Sequence, residues 1–133
     1  EITKIMPFEN FEMIAGEVRG TATYDGLDDF FKRGLCFAPV IGNKVCGFCT
    51  SEYPGERAIA IGIEVLKPYQ KRGFAKAMTN AFLQRAAQKG YTAYWDCWKN
   101  NTASVRTALA CGFEKMADYP MLFLPLDAAG RRE

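Results

Sequence analysis

The segment Gln70-Lys71-Arg72-Gly73-Phe74-Ala75-Lys76 combines basic side chains with a glycine, and it lies between a strand pattern and a helix pattern. It therefore predicts a tight turn into the start of a helix. The first N–H groups of a helix have no partner inside it, and the helix dipole adds partial positive charge there. Gly73 allows close approach of the backbone, while Lys71, Arg72 and Lys76 add full charges. These residues predict a binding site for a pyrophosphate.

Other phosphate-binding loops do not fit this segment. The sequence has no G-x-G-x-x-G run of the dinucleotide-binding type and no G-K-S/T ending of the P-loop type. Taken alone, the residues have a second interpretation, which is a basic first helical turn after the bend at Pro68.

The elements around this segment predict a single α/β (α+β) domain over residues 1–133, with a central mixed sheet flanked by helices. Periodicity predicts helices over 8–18, 27–33, 73–89 and 101–111. Strand patterns cover 35–41, 44–53, 57–66, 91–98, 113–119 and 121–126. Gly42-Asn43 predicts a two-residue hairpin between the first two strands. The 57–66 strand is apolar at nearly every position, which is typical of a central strand buried on both faces.

Composition excludes several classes of protein. The 133 residues are 49% hydrophobic, which is enough for one core, and the net charge of +2 is too small for a dedicated nucleic-acid surface. No apolar run is long enough to cross a membrane. Because the first residue is Glu1, we expect a processed product or a piece of a longer protein. The odd number of cysteines, 5, favours a reducing, cytoplasmic compartment.

The sequence contains no histidine, so Ser-His-Asp and Cys-His nucleophilic sites are excluded, as is the commonest general base. Cys46-Gly47-Phe48-Cys49 has C-x-x-C spacing, but positions three apart on a strand face opposite sides. No second cysteine pair completes a zinc site. We therefore expect buried, small apolar cysteines and no metal; a redox or zinc domain is an alternative.

Two elements of the chain resemble the GNAT N-acetyltransferase superfamily. Gln70, Gly73 and Ala75 match its Q/R-x-x-G-x-G/A signature, and the strand end at 63–68 is similar to the one that precedes the signature. Residues 101–104, followed by 110–113, resemble its N-x-x-A/S…G-F helix. The resemblance covers residues 35–119. Residues 95–97, taken together with these two elements, resemble the zwittermicin-resistance-like branch of the superfamily.

The resemblance implies the GNAT acyl-CoA fold, with strands 57–66 and 91–98 splayed apart around the pantetheine arm of acetyl-CoA. Backbone groups on the first of these strands would pair with pantetheine, and amides of the turn would hold the pyrophosphate. The implied cofactor-binding residues are Ile63, Val65, Gln70, Lys71, Arg72, Gly73, Phe74, Ala75, Lys76, Asn101 and Ser104. The first two are also ordinary core residues, and the last two also fit an ordinary helix cap.

The activity that the resemblance implies is direct attack of a small-molecule primary amine on the thioester of acetyl-CoA, by a monomer or homodimer. Such an attack needs a base to deprotonate the amine. Many relatives carry a glutamate midway along the first splayed strand, where this chain has Ile59 and Ala60. We nominate Glu64 first as the base and Asp96 second, although a solvent-facing strand end is an equally good interpretation of Glu64.

The acid that protonates the departing thiolate is also missing from its usual place. Many relatives carry a tyrosine seven residues after the motif asparagine, where this chain has Ala108. Tyr94, Cys97 and Tyr119 are alternatives, although such residues are often part of a core. A non-catalytic acyl-CoA-binding or regulatory module is therefore the second hypothesis.

Overall fold

The computed structural model describes residues 8–20 and 23–121. In these ranges the helices are α1 (Phe11–Gly20), α2 (Leu27–Arg33), α3 (Phe74–Gln88) and α4 (Thr102–Ala110), with a 3₁₀ turn at Lys67–Tyr69. The strands are β1 (Cys36–Phe37), β2 (Val40–Ile41), β3 (Lys44–Val45), β4 (Gly47–Glu52), β5 (Ala58–Val65) and β6 (Thr92–Tyr94). The predicted helices are confirmed, with small shifts at their ends. None of the helices in these ranges is long and apolar enough to cross a bilayer.

The main sheet holds its strands in the order β1-β4-β5-β6. β4 is antiparallel to β1 and to β5, whereas β5 and β6 are parallel. The sheet is therefore mixed, as the sequence predicted. β2 and β3 form a separate hairpin across Gly42-Asn43, in which Gly42 adopts a left-handed φ of 62°. The predicted hairpin turn is confirmed.

Helices cover both faces of the main sheet. Successive side chains of a strand point to opposite faces, so one strand can contribute to a buried cluster on each face. On the first face, Cys49 of β4 and Ile59 of β5 lie in one buried cluster with Phe82 of α3. On the second face, Phe48 of β4 lies in a cluster with Ile14 of α1. We call these the α3 face and the α1 face.

The strands predicted over 35–41 and 44–53 are each broken in two. Ala38-Pro39 separates β1 from β2, since proline has no N–H to donate to a ladder. Cys46 separates β3 from β4, and its N–H donates to the carbonyl of Pro39 at 2.9 Å. The chain uses these breaks to change partners, so that β1 pairs with β4 while β2 pairs with β3.

The central strand is less buried than its apolar sequence predicted. Ile59, Ala60 and Ile61 are buried, but Glu64 is exposed and its neighbours are only half-buried. The reason is that β6 accompanies only the first part of β5, up to Ala60. The rest of β5 has a strand neighbour on one side only.

The strands predicted after α3 are shorter than expected or wrong. The 91–98 strand ends at Tyr94, and residues 113–119 form no strand. Met116 in this segment is 91% exposed. With so short a β6, the segment has little strand edge on which to form a ladder. Of the strand predicted over 121–126, Met121 is not in a strand and the remaining residues lie outside the described ranges.

Phe82→Ala should destabilise the domain, because this side chain is 0% exposed in the core between α3 and the sheet. Truncating a buried phenylalanine lowers the free energy of unfolding by about 3–5 kcal/mol. Urea denaturation would measure the loss. Gln84→Ala, on the exposed side of the same helix, is the control and should change stability by less than about 0.5 kcal/mol. Equal effects of the two substitutions would contradict the packing of α3.

Candidate functional site

The two parallel strands separate soon after they begin to pair. The matched positions are Ala58 with Thr92, Ile59 with Ala93, and Ala60 with Tyr94. β5 then continues to Val65 without β6 beside it. The splaying that the resemblance implied is therefore present, and it opens a gap along one edge of β5.

Backbone groups of β5 point into this gap at alternate residues. The N–H of Thr92 on the β6 side donates to the carbonyl of Arg57 at 2.7 Å, and the N–H of Leu66 donates to Cys46 on the β4 side at 2.9 Å. Because backbone groups alternate in direction along a strand, Ile63 and Val65 direct theirs away from β4. A ligand in the gap could pair with them as a further strand would.

The glycine turn presents N–H groups at the start of α3. Gly73 is the N-cap, with a left-handed φ of 84° and no side-chain cap. The first bond of the helix runs from the N–H of Ala77 to the carbonyl of Gly73 at 3.0 Å. The N–H groups of Phe74, Ala75 and Lys76 therefore precede the helical ladder and have no acceptor within it. This is the geometry that binds anions at a helix N-terminus.

Gln70 fixes this turn to the end of β5. Its side-chain amide donates to the carbonyl of Val65 at 3.0 Å. Lys71 adopts a positive φ of 61°, which is unusual for a residue with a side chain, and so reverses the chain before Gly73. The turn and the strand gap are thereby held side by side.

The gap and the turn form one cleft of about 680 Å³, within the range of about 300–1,000 Å³ that is usual for small-molecule sites. It is bounded by β5, the glycine turn and α4. The residues lining it are Ile63, Glu64, Val65, Tyr69, Gln70, Lys71, Gly73, Phe74, Ala75, Lys76, Trp95, Asn101, Ala103, Ser104, Arg106, Thr107 and Ala110.

Most of the residues predicted to bind the cofactor line this cleft; Arg72 does not. The guanidinium of Arg72 instead lies over the ring of Tyr69, 5.5 Å from its centroid. A cation over an aromatic face is a stabilising contact, and Tyr69 itself lines the cleft. Binding of the cofactor by Arg72, like that by the other residues of the turn, stays a prediction.

Several cleft residues are not among the predicted binding residues, although Trp95, Ala103 and Ala110 lie within the motifs that carry the resemblance. Tyr69 precedes the glycine turn, and Ala103, Arg106, Thr107 and Ala110 lie on α4. The α4 residues could have been found, because Ser104, Thr107 and Ala110 recur at helical spacing and so share one face.

The polar side chains at the start of α4 already have partners within the protein. The side-chain oxygen of Asn101 accepts from the N–H of Ser104 at 3.2 Å, so Asn101 caps the helix. The hydroxyl of Ser104 accepts from the indole N–H of Trp95 at 2.9 Å. Trp95 in turn packs edge-on against Phe113, with ring centroids 5.4 Å apart. The capping interpretation is confirmed, while contact of Asn101 and Ser104 with a cofactor remains a prediction.

The two nominated carboxylates occupy different surroundings. Glu64 lines the cleft near the end of β5 and is exposed. Asp96 does not line the cleft; its side chain hydrogen-bonds the phenol of Tyr119, which raises the pKa of that tyrosine. The structure therefore does not place both carboxylates in one site.

A different carboxyl pair lies on the α1 face of β5. Glu52 ends β4 and stands opposite Ala60, and its side chain hydrogen-bonds that of Glu17 on α1. Burial, this hydrogen bond and the repulsion from Glu17 together raise the pKa of Glu52 to about 8. The pair had no local signal in the sequence, since Glu17 and Glu52 meet only through the packing of α1 on the sheet.

The C-x-x-C cysteines are both buried and unbonded to one another. Cys49 packs on the α3 face, and burial raises the pKa of its thiol. Across residues 8–20 and 23–121, no three side chains of the His, Cys, Asp or Glu type converge as a metal site would require. The cysteines of this motif lie in the protein interior as small apolar residues, as predicted.

Comparisons with known proteins place this geometry among acetyltransferases. Residues 8–122 match the family model described as GNAT acetyltransferase. An uncharacterized N-acetyltransferase of Bacillus subtilis (strain 168), YdfB, is 28% identical over 100 residues, which are 75% of this chain and 38% of that protein. The chain thus spans well under half of the length of this curated relative.

Solved structures share the fold at low identity. The aminoglycoside N-acetyltransferase AAC(6')-Iy, bound to the bisubstrate analog CoA-S-monomethyl-acetylneamine, has a TM-score of 0.61 and 20% identity, over 88% of this chain and 82% of its own. The aminoglycoside acetyltransferase meta-AAC0020, from an uncultured soil metagenomic sample and bound to sisomicin, has a TM-score of 0.62 and 18% identity, over 86% of each chain.

Glu52→Gln should stabilise the protein at high pH and alter it little at low pH. The pKa of Glu52 in the folded state, about 8, exceeds the ordinary value of 4.5. The group's contribution to stability is therefore complete below its ordinary pKa and is lost as the pH rises through about 8. Neutral glutamine avoids this loss. Thermal unfolding at about pH 5 and about pH 9 would measure it.

The exposed Glu56, on the turn between β4 and β5, provides the matched control for that measurement. Glu56→Gln should leave the melting temperature close to that of the unaltered protein at both pH values. If the melting temperature of Glu52→Gln differed from that of the unaltered protein by the same amount at both pH values, the raised pKa of Glu52 would be contradicted.

Proposed function

The chain belongs to the GNAT acetyltransferase family, and from this premise we propose that it transfers an acetyl group from acetyl-CoA to a primary amine of a small molecule. The observation that carries the proposal is the joining of two features in one cleft. The unpaired edge of β5 opens directly beside the uncapped start of α3. A ligand with a polar, extended arm and a pyrophosphate fits both.

The glycine turn would hold the pyrophosphate of the cofactor. The N–H groups of Phe74, Ala75 and Lys76 lie where the helix dipole favours negative charge. The side chains of Lys71 and Lys76 line the same end of the cleft and supply the compensating charge.

The pantetheine arm would lie along the open edge of β5. Its amides can pair with the backbone of Ile63 and with the N–H of Val65, which point away from β4. The carbonyl of Val65 already accepts from Gln70. The opposite wall is the face of α4 that carries Ser104 and Thr107, with Asn101 at its start. The bisubstrate complex of AAC(6')-Iy contains CoA joined to an acetylated amine, which supports this choice of cofactor for a chain of the same fold.

The reaction would be direct transfer without an enzyme-bound acetyl group. The amine nitrogen attacks the thioester carbon, a C–N bond forms, and the C–S bond then breaks. An N–H of β5 in the gap would stabilise the oxyanion. The thiolate leaves readily, since a thiol has a pKa of about 8.5, so the absence of a tyrosine at Ala108 does not prevent the reaction.

A non-catalytic acyl-CoA-binding module is the second candidate function. Ala108 is buried in α4 where relatives carry the acid, and the nominated base Glu64 is exposed to solvent. This candidate predicts CoA binding without turnover. The cytoplasmic location, the monomer or homodimer, and the zwittermicin-resistance-like branch stay predictions from the sequence.

Acetyl transfer can be tested by following the release of CoA thiol from acetyl-CoA in the presence of spermidine, tyramine or sisomicin. We expect amine-dependent release above the rate of the uncatalysed reaction for at least one amine. Calorimetry with CoA accompanies the assay. Tight CoA binding with no turnover on any amine would favour the binding module and contradict the enzyme.

Gly73→Asp should abolish most of the affinity for CoA. A carboxylate at this position would stand where the phosphates bind, and no atom lies within 4 Å of a Cβ there, so the loop has room for it. Gly73→Asn is the matched control, because asparagine has the same shape and tolerates the left-handed φ. We expect the aspartate to weaken CoA binding at least about tenfold more than the asparagine does.

Isothermal titration with CoA would measure both Gly73 variants, and circular dichroism would confirm that both are folded. Equal affinities of the aspartate and asparagine variants would show that no phosphate lies near Gly73. The pyrophosphate would then have to be placed elsewhere in the cleft.

A further inference from the structure

We infer that Glu52 is the base that removes the proton from the acceptor amine, with Glu17 as the positioning residue beside it. This assignment rests on the proposed function and goes beyond it by naming the face of the sheet on which the amine binds. It replaces Glu64 and Asp96 as the candidate for this step.

The carboxyl pair lies directly over the backbone of the splayed strand. A Cβ built on Gly62 would overlap Oε1 of Glu52 and would lie 3.3 Å from Oε1 of Glu17. Gly62 follows the last β5 residues that pair with β6, and so it stands at the mouth of the gap. The absence of a side chain at Gly62 is what lets both carboxyl groups reach this point.

A row of side chains on the α1 face connects Glu52 with Tyr94. Glu52, Ala60 and Tyr94 are matched across β4, β5 and β6, so their side chains share that face. The charge of Glu52 contributes to the raised pKa of Tyr94, after burial and the charges of other neighbours, so the two groups are close enough to interact. Only the small side chain of Ala60 stands between them on this face.

An unpaired hydroxyl on the same face points independently to a polar ligand. Thr50 is 1% exposed and stands opposite Gly62 in the register. Within the part of the chain that the structure describes, its Oγ1 has no hydrogen-bond partner. Buried polar groups rarely lack partners, and a polar group of a bound acceptor would supply one.

The surroundings of Glu52 give it the strength of a useful base. The titratable groups that face it are Glu17 from α1 and Tyr94 from β6. Burial first, and then Glu17, raise the pKa of Glu52 to about 8. A base with a pKa near the working pH is effective in proton transfer. Glu64 is exposed at the strand end, and Asp96 is already bonded to Tyr119.

The proposed step balances without any further reagent. The Glu52 carboxylate takes one proton from the alkylammonium group, which leaves a neutral amine and a neutral carboxyl. The amine attacks the thioester carbon, and the C–S bond breaks as the tetrahedral intermediate collapses. The second amine proton passes to the departing thiolate and forms the CoA thiol. Glu52 then releases its proton to water.

The test compares the unaltered protein with Glu52→Gln, Glu17→Gln and the control Glu56→Gln, using the amine of the panel that reacts fastest. We expect Glu52→Gln to lower kcat about 100-fold or more, with unchanged affinity for CoA by titration. The kcat of the unaltered protein should rise with pH as Glu52 loses its proton, and this rise should be absent in Glu52→Gln. The pH dependence of kcat is the quantity to follow. The pH dependence of kcat/KM also contains the titration of the free amine substrate and would obscure that of Glu52.

Glu17→Gln separates positioning from a merely structural role. Removal of the neighbouring carboxyl should move the rising limb of the kcat profile to lower pH, since one of the causes of the raised pKa is lost. A structural role would lower activity without moving the limb. Glu56→Gln should leave both kcat and the profile unchanged.

The outcomes distinguish this assignment from the proposed function. If the unaltered protein acetylates no amine, the proposed function fails and the assignment fails with it. If the unaltered protein is active and Glu52→Gln matches it in kcat and in pH profile, acetyl transfer stands and only the role of Glu52 is overturned. If Glu52→Gln binds CoA normally but its kcat no longer rises with pH, the assignment is supported.

Discussion

The early separation of two parallel strands is the constraint on which the candidate site depends. β6 ends at Tyr94, and the next residue, Trp95, is held away by its hydrogen bond to Ser104 and its contact with Phe113. The remainder of β5 is thereby left with unpaired backbone groups on one edge. Such groups need partners from outside the sheet, and an extended molecule with amides of its own could provide them.

Local chemistry explains why the anion-binding turn could be predicted from the sequence. The left-handed φ of Gly73 and the uncapped start of α3 depend on residues adjacent in the chain. The caps and helix ends were predicted for the same reason, as the bond of Asn101 to the N–H of Ser104 illustrates. A glycine in a turn or an asparagine before a helix acts on the backbone next to it, so its structural role can be predicted from the local sequence.

The features that could not be predicted depend on tertiary packing. The contact of the Arg72 guanidinium with the ring of Tyr69 has no signal in the sequence. The apolar pattern of residues 113–119 resembles a strand, yet a strand needs a neighbour, and β6 is too short to provide much of one. Glu17 and Glu52 meet only because α1 crosses the sheet above Gly62. No spacing in the sequence encodes that crossing.

The internal bonding of the α4 wall has a further consequence for how a ligand would bind. Asn101, Ser104 and Trp95 already hold one another in place, and Gln70 already ties the turn to Val65. The protein would therefore lose little conformational entropy when the cleft is filled. The ordering penalty falls instead on the many rotatable bonds of the incoming molecule, as expected when a rigid, preorganised receptor takes up a flexible ligand.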